Sequence, residues 1–184
     1  MAKRKRRTTE VSIDRRIREG RGTGRLRSYS PWLHIQDVPS RGLVTRIKGW
    51  KSGRVHHLLS LLELRCLYVL DWDLEVIDVR EQYPLLPREE TLAIAADCGI
   101  KHPKDPRSKC PIVMTTDFVA TKLINGVPVD HPLSVKYIED LESARTREKL
   151  EVERVYAMHL DATPWSKVVE AMNRAMLSTA KNTN

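Results

Sequence analysis

Residues 112–138 read IVMTTDFVATKLINGVPVDHPLSVKYI, two runs rich in β-branched residues on either side of Asn125-Gly126. Asn-Gly is the favoured dipeptide of a two-residue type I′ hairpin turn, in which both central residues need a positive φ. With these two as the loop, Ile124 faces Val127, Asp117 lies opposite Ser134, and Thr115 lies opposite Lys136. Residues two apart share a sheet face, so Asp117, Ser134 and Lys136 point the same way, with Lys136 the diagonal neighbour of Asp117. Pro128 and Pro132 are places where a bulge would slip the register and part the two charges. On spacing alone, an Asp–Lys pair across a hairpin also describes a plain structural ion pair.

Upstream, VHHLLSLLELRCLYVLDWD (Val55 to Asp73) predicts one long helix. Its leucines at 58, 59, 61, 62, 64, 67 and 70 leave almost no polar face, which implies burial nearly all round. Glu63 sits among Leu59, Cys66 and Leu67, where an ionised carboxylate needs a cation or hydrogen-bond donors unless it escapes along the least apolar stripe. Leu74 to Leu86 predicts a strand stopped by Pro84 and Pro87. Arg88 to Pro111 reads as polar and turn-rich, with a short helical turn at Leu92–Ala96. Cys98, His102 and Cys110 fall there without the CxxC spacing that would mark zinc. Glu139 to Leu160 predicts a charged amphipathic helix with Leu141, Ala144, Leu150, Val155 and Met158 toward the core. A last short helix, Ser166 to Leu177, follows Pro164-Trp165.

The 184 residues suffice for one main domain, and the formal charge of +8 suits a polyanionic partner. Arginines crowd the front of the chain, where EGRGTGRLRSYSPW (Glu19 to Trp32) reads as a flexible loop lacking GxGxxG or P-loop spacing. Arg15, Arg16, Arg21 and Arg25 are the candidate DNA-phosphate contacts. His56 and His57 are further candidates, with helix-cap or packing roles as the alternative. The basic start, Lys3 to Arg7, has no apolar stretch behind it and does not read as a secretory signal. No apolar run is long enough to cross a membrane. The three cysteines cannot all pair within one chain, so a cytoplasmic setting is expected.

Two carboxylates and a lysine are what metal-assisted phosphodiester hydrolysis requires. Hard oxygen ligands hold Mg²⁺, the ion polarises the phosphate, and the lysine steadies the attacking water. The predicted order of helix (Glu63), strand, strand (Asp117), strand (Lys136) and helix resembles the α/β core of restriction-endonuclease-like nucleases, αβββα with a mixed sheet flanked by helices. A longer resemblance runs through RRIREGRGTG, SPWLHIQDVPSRG, SGRVHHLLSLLEL, VIDVREQYPLLP, GIKHP and MTTDF, covering residues of about 10 to 158. These segments resemble the TnsA family, endonuclease subunits of heteromeric bacterial cut-and-paste transposases.

The resemblance implies a Mg²⁺-dependent enzyme, with one or two ions and Mn²⁺ able to substitute, that cuts the 5′ strands at transposon ends. It implies Glu63, Asp117 and Lys136 as catalytic residues, with Glu63, Asp117, the Val135 carbonyl and Ser134 on the metal. Transposon-end DNA, a DDE transposase subunit (TnsB-like) and an AAA+ regulator (TnsC-like) are the implied partners. Two departures qualify it. Ser134 stands where the family usually has glutamine, a shorter and weaker ligand for a second ion. The segment after Pro164-Trp165 also lacks the apolar residues of the family's closing strand, so that strand and the C-terminal domain are expected to be reduced. The resulting layout is a basic tail (1–9), a DNA-contacting segment (10–55), an endonuclease core (56–162) and a short C-terminal helix and tail (163–184). The alternative function is a catalytically weak or inactive architectural DNA-binding subunit of the same complex.

Overall fold

The computed structural model describes residues 7–38 and 44–159. The first six residues of the basic tail, the Ser166–Leu177 helix and the closing-strand region after Pro164 lie outside the described residues.

The hairpin forms as the sequence predicts. Strand β4 (Thr115–Ile124) turns at Asn125-Gly126, both with positive φ, into β5 (Val127–Leu133). The ladder runs from Ile124↔Val127 to Phe118↔Leu133 without slippage, because Pro128 and Pro132 fall on the outer strand, where a missing N–H breaks no ladder bond. Strand β3 (Val76–Pro84) pairs on the other side of β4, giving a three-stranded antiparallel sheet in the order β3-β4-β5. A separate hairpin joins β1 (Thr45–Lys48) to β2 (Val55–Leu58). Every ladder among the described residues is antiparallel; the parallel pairing that makes a sheet mixed is not among them.

Helix α1 (Glu10–Arg18) starts at Thr9, whose side chain accepts a hydrogen bond from the Ser12 N–H. The long helix expected over Val55–Asp73 is instead strand β2 followed by α2 (Leu61–Trp72). Ser60 breaks the two apart by capping α2, its hydroxyl accepting the Glu63 N–H at 3.1 Å. Nor is α2 buried all round. Leu62, Glu63, Cys66, Leu67 and Leu70 face inward, while Tyr68, Val69 and Trp72 are exposed. With Leu58, Val76, Val79, Phe118, Ala120 and Leu133, the inward face builds the main core.

Arg88–Pro111 is also more ordered than expected, since α3 runs from Arg88 to Asp97 and buries Thr91, Ile94 and Ala95. The helix expected over Glu139–Leu160 splits into a 3₁₀ turn (Glu139–Glu142) and α4 (Ala144–His159). The buried face of α4 is Val152, Glu153, Tyr156 and Ala157, whereas Met158 and Ala144 are exposed. The core order of the resemblance, α2-β3-β4-β5-α4, is present with α3 inserted after β3. No helix among the described residues is long and apolar enough to cross a membrane.

The segment Glu19–Trp32, expected to be a flexible loop, is strapped to β3 and β4. Leu26 N–H donates to Asp78 (3.1 Å), Tyr29 hydroxyl to the Glu81 carbonyl (3.0 Å), and Trp32 N–H to the Gln82 carbonyl (3.2 Å). Gly22 lies so close to Pro84 that a Cβ would sit 2.2 Å from the ring, which excludes any side chain there. Beneath this strap is a buried polar knot. Arg54 Nη1 donates to Glu81 at 2.8 Å and stacks 4.8 Å over Tyr29, and His56 Nδ1 meets the same carboxylate at 2.8 Å. The other nitrogen of His56 meets Ser52 at 2.7 Å. The Ser52–His56–Glu81 chain has the connectivity of a nucleophile triad, but all three are buried and Glu81 is held by Arg54, so it is structural. Burial alone would raise the Glu81 pKa; Arg54 and His56 outweigh it and hold the carboxyl down to about 2.

Removing the cation of this pair leaves an uncompensated buried charge, which costs about 3–5 kcal/mol. Arg54→Met should lower the denaturation midpoint accordingly, and adding Glu81→Gln should recover a good part of the loss. Equal midpoints for parent and Arg54→Met would refute the role given to the knot.

Candidate active site

At the open end of the β4-β5 ladder, just past Leu133, the backbone of β5 curls around one carboxylate oxygen. Asp117 Oδ2 accepts the Val135 N–H at 2.6 Å and the Lys136 ammonium at 2.6 Å, with the Ser134 hydroxyl at 3.4 Å. The three groups expected to meet therefore do so, but not through the expected Asp117–Ser134 and Thr115–Lys136 pairs: the ladder ends at Phe118↔Leu133, and Ser134 and Lys136 reach Asp117 from the segment past β5. Lys136 Nζ also donates to the Val135 carbonyl at 3.1 Å. A cationic group thus occupies the point where Asp117 Oδ2 and Val135 O converge, the two oxygens expected for a first metal ion.

Glu63 is buried, and its two oxygens are fully addressed. Oε2 accepts the Leu59 N–H (2.8 Å) and the Gln82 side-chain amide (3.3 Å), and Oε1 accepts the Ser60 hydroxyl (2.9 Å). Glu63 is the third residue of α2 and reaches back over the helix start, so the cap that begins the helix also aims its carboxylate. Burial first, then the charge of Asp117, pushes the Glu63 carboxyl up to about 7 against the opposing pull of its donors and Lys136.

A further acid, which the sequence reading did not single out, completes the group. Glu153 on the buried face of α4 accepts the Ser134 hydroxyl at 2.9 Å. Burial and the Asp117 charge push it up to about 8, with Lys136 opposing. Lys136 is pulled down by burial, but Asp117 and Glu153 together leave it raised, so it is an ammonium at neutral pH. The available signal for Glu153 is an acid inside an apolar stripe, with Val152 beside it and Tyr156 and Ala157 one turn on.

The donors are carboxylates, a backbone carbonyl and a hydroxyl, which suit a hard divalent cation in kind. Among the described residues, no three His, Cys, Asp or Glu side chains converge closely enough to hold an ion unaided. An ion here would therefore draw on the Val135 carbonyl and solvent, with Lys136 moving aside. The excess of buried acid over cation is the observation that favours one.

The candidate DNA contacts divide. Arg15 and Arg25 are more than half exposed, though Arg25 also reaches Asp130. Arg21 is turned inward onto Asp37 (2.6 Å) and Glu19 (2.8 Å), and Arg16 stacks on Trp32. His56 is fully buried in the polar knot, which removes it as a phosphate contact. His57 is half-buried and stacks on His34 with ring centroids 4.7 Å apart. His102, the histidine of the weak zinc pattern, instead meets Thr91 and the Pro103 carbonyl.

The raised pKa of Glu153 has a testable sign. Unfolded, the group loses its proton near its ordinary 4.5; folded, it keeps it to about 8, so the native state binds more protons in that window and loses stability as pH rises through it. Glu153→Gln removes this component. In thermal melts with EDTA, its melting temperature relative to the parent should be unchanged near pH 4.5 and climb steadily toward pH 8. A pH-independent difference would contradict the assignment.

Residues 73–165 match the family described as TnsA-like endonuclease N terminal, a span that includes Asp117, Ser134, Lys136 and Glu153. The chain is also similar to the transposon Tn7 transposition protein TnsA of Escherichia coli, 48% identical over 156 residues, which is 85% of this chain and 56% of that relative. It therefore spans little more than half the length of that protein. On the strength of the family match, carried by a restriction-endonuclease-like α/β core with this acid and lysine cluster at its hairpin, the chain belongs to the TnsA-like endonuclease family.

Proposed function

We propose that this chain is the Mg²⁺-dependent endonuclease subunit of a heteromeric transposase and cuts the 5′ strands at transposon ends. The observation that carries the reading is the convergence of Asp117 Oδ2, the Val135 carbonyl and Lys136 beside two buried glutamates whose protons are held to near-neutral pH. A divalent cation, Mg²⁺ or Mn²⁺, held by Asp117, Glu63 and the Val135 carbonyl would supply Lewis-acid charge to the scissile phosphate. Ser134 would reach a second ion only through water.

Lys136 is an ammonium, so its contribution is donation: it orients the attacking water or neutralises a phosphate oxygen, and it does not abstract a proton. Glu153, like Glu63, has proton affinity near neutral pH, and through Ser134 it is tied to the same edge as Asp117. Arg15 and Arg25, the more exposed of the four candidate arginines, would meet DNA phosphates from the N-terminal segment. A DDE transposase subunit would complete the cut by processing the 3′ ends, an AAA+ regulator would license the assembly, and the setting is the bacterial cytoplasm. The division into a DNA-contacting segment and a nuclease core is part of the same proposal, with the qualification that the boundary at residue 55 meets the start of β2.

Purified chain, partner transposase, transposon-end DNA and Mg²⁺ should yield 5′-strand cuts that fall by at least about a thousandfold in Asp117→Ala, as expected when a site that works as a unit loses a ligand. Lys136→Ala should cut slowly while binding the ion at least as well as the parent, since the change removes a competing ammonium and no ligand. Transposition at parental levels with Asp117→Ala would instead establish the architectural alternative.

A further inference from the structure

The geometry points to Gln82 as a positioning residue for Glu63, an assignment that rests on the metal-dependent reading above. Four non-glycine residues among those described have a positive φ: Leu26, Gln82, Lys109 and Asn125. Asn125 serves the hairpin turn, and Leu26 and Lys109 lie outside strands, but Gln82, at φ +48°, lies within β3. An L-residue in the left-handed region inside a strand is unfavourable and persists only where its surroundings over-determine it; such residues gather at functional sites.

What the kink accomplishes can be read from its neighbours. Pairs Glu81↔Phe118 and Tyr83↔Thr116 flank the position, so continuing the register sets Gln82 opposite Asp117, where no regular pair forms. The side chain, only 2% exposed, is directed to Glu63 and donates its amide to Oε2 at 3.3 Å. The backbone carbonyl of Gln82 accepts the Trp32 N–H at 3.2 Å, so the arginine-bearing strap is anchored on the same residue. Gln82 is therefore a neutral donor wedged between the strand that bears Asp117 and the helix that bears Glu63. It steadies the Glu63 carboxylate without neutralising it, which a lysine or arginine in the same place would do at the expense of cation affinity. It touches a proposed ligand and no reacting atom, so it acts through Glu63.

The test is a Mn²⁺ titration of the full chain, read by the loss of free-ion EPR signal, with no DNA present. Gln82→Met keeps the length and removes the donor, and should weaken Mn²⁺ binding about tenfold, as loss of a ligand-orienting partner typically does. In a Glu63→Gln background the same change should alter affinity by less than about twofold, because the residue through which it acts is already neutral. A purely structural role would weaken both backgrounds alike. Gln82→Gly, which removes the side chain and suits the backbone, should reproduce the loss and serves if the Met variant does not fold. Parental affinity in both Gln82 variants, or an equal loss in the Glu63→Gln background, overturns the assignment while leaving the nuclease reading standing. A parent chain that binds no Mn²⁺ overturns the metal-dependent reading and this assignment with it.

Discussion

Three carboxylates, Glu63, Asp117 and Glu153, share their surroundings with one ammonium, Lys136, and the site is organised around this unequal count. Charges in a partly desolvated pocket interact far more strongly than in water, so the imbalance cannot be ignored by the fold. It is met in three ways. Asp117 takes the lysine and a backbone N–H on one oxygen. Glu63 takes only neutral donors, and Glu153 takes a serine hydroxyl. The last two consequently hold their protons to about 7 and about 8, an arrangement that any arriving cation would reverse.

The contrast with Glu81 makes the point sharper. It lies on β3 one residue from Gln82 and is more completely buried than Glu63, yet its carboxyl is held down to about 2. Arg54, His56 and the His57 N–H saturate it. Where the chain needs only a stable sheet, it provides a buried acid with its own cation. At Glu63, which is hydrogen-bonded to the next residue of the same strand, it withholds one. Since an unpaired buried acid is destabilising, two of them around one aspartate argue that the site is selected for something other than stability.

The hairpin was legible because a two-residue turn dipeptide and a period-two pattern each constrain register; the slip that Pro128 and Pro132 left open does not occur, because both lie on the outer strand. Asp117, Ser134 and Lys136 followed from it. Glu63 was legible as an anomaly, a charge within a leucine run, but its helix began in the wrong place. Leucine density cannot separate a strand from the helix after it, whereas Ser60-x-x-Glu63 is a start signal that marks the boundary and explains the glutamate's orientation. The misplaced start also left His56 on a helix face in the reading, when β2 buries it in the polar knot. Glu153 was missed because α4 was oriented by its most apolar residues, while the helix turns an acid inward to meet Ser134. The arginine-rich strap has no periodicity to read; its order comes from hydrogen bonds to residues some fifty positions away.

Ser134 is where the chain departs from the family pattern it resembles, and its surroundings change what that departure means. Judged as a ligand, a serine in place of glutamine is a loss of reach. Judged by its contacts, it is the link between strand and helix, since one hydroxyl addresses Glu153 on α4 and lies near Asp117 on β4. The serine and the inward glutamate thus form one contact between strand and helix, made at the residue where the resemblance is least complete.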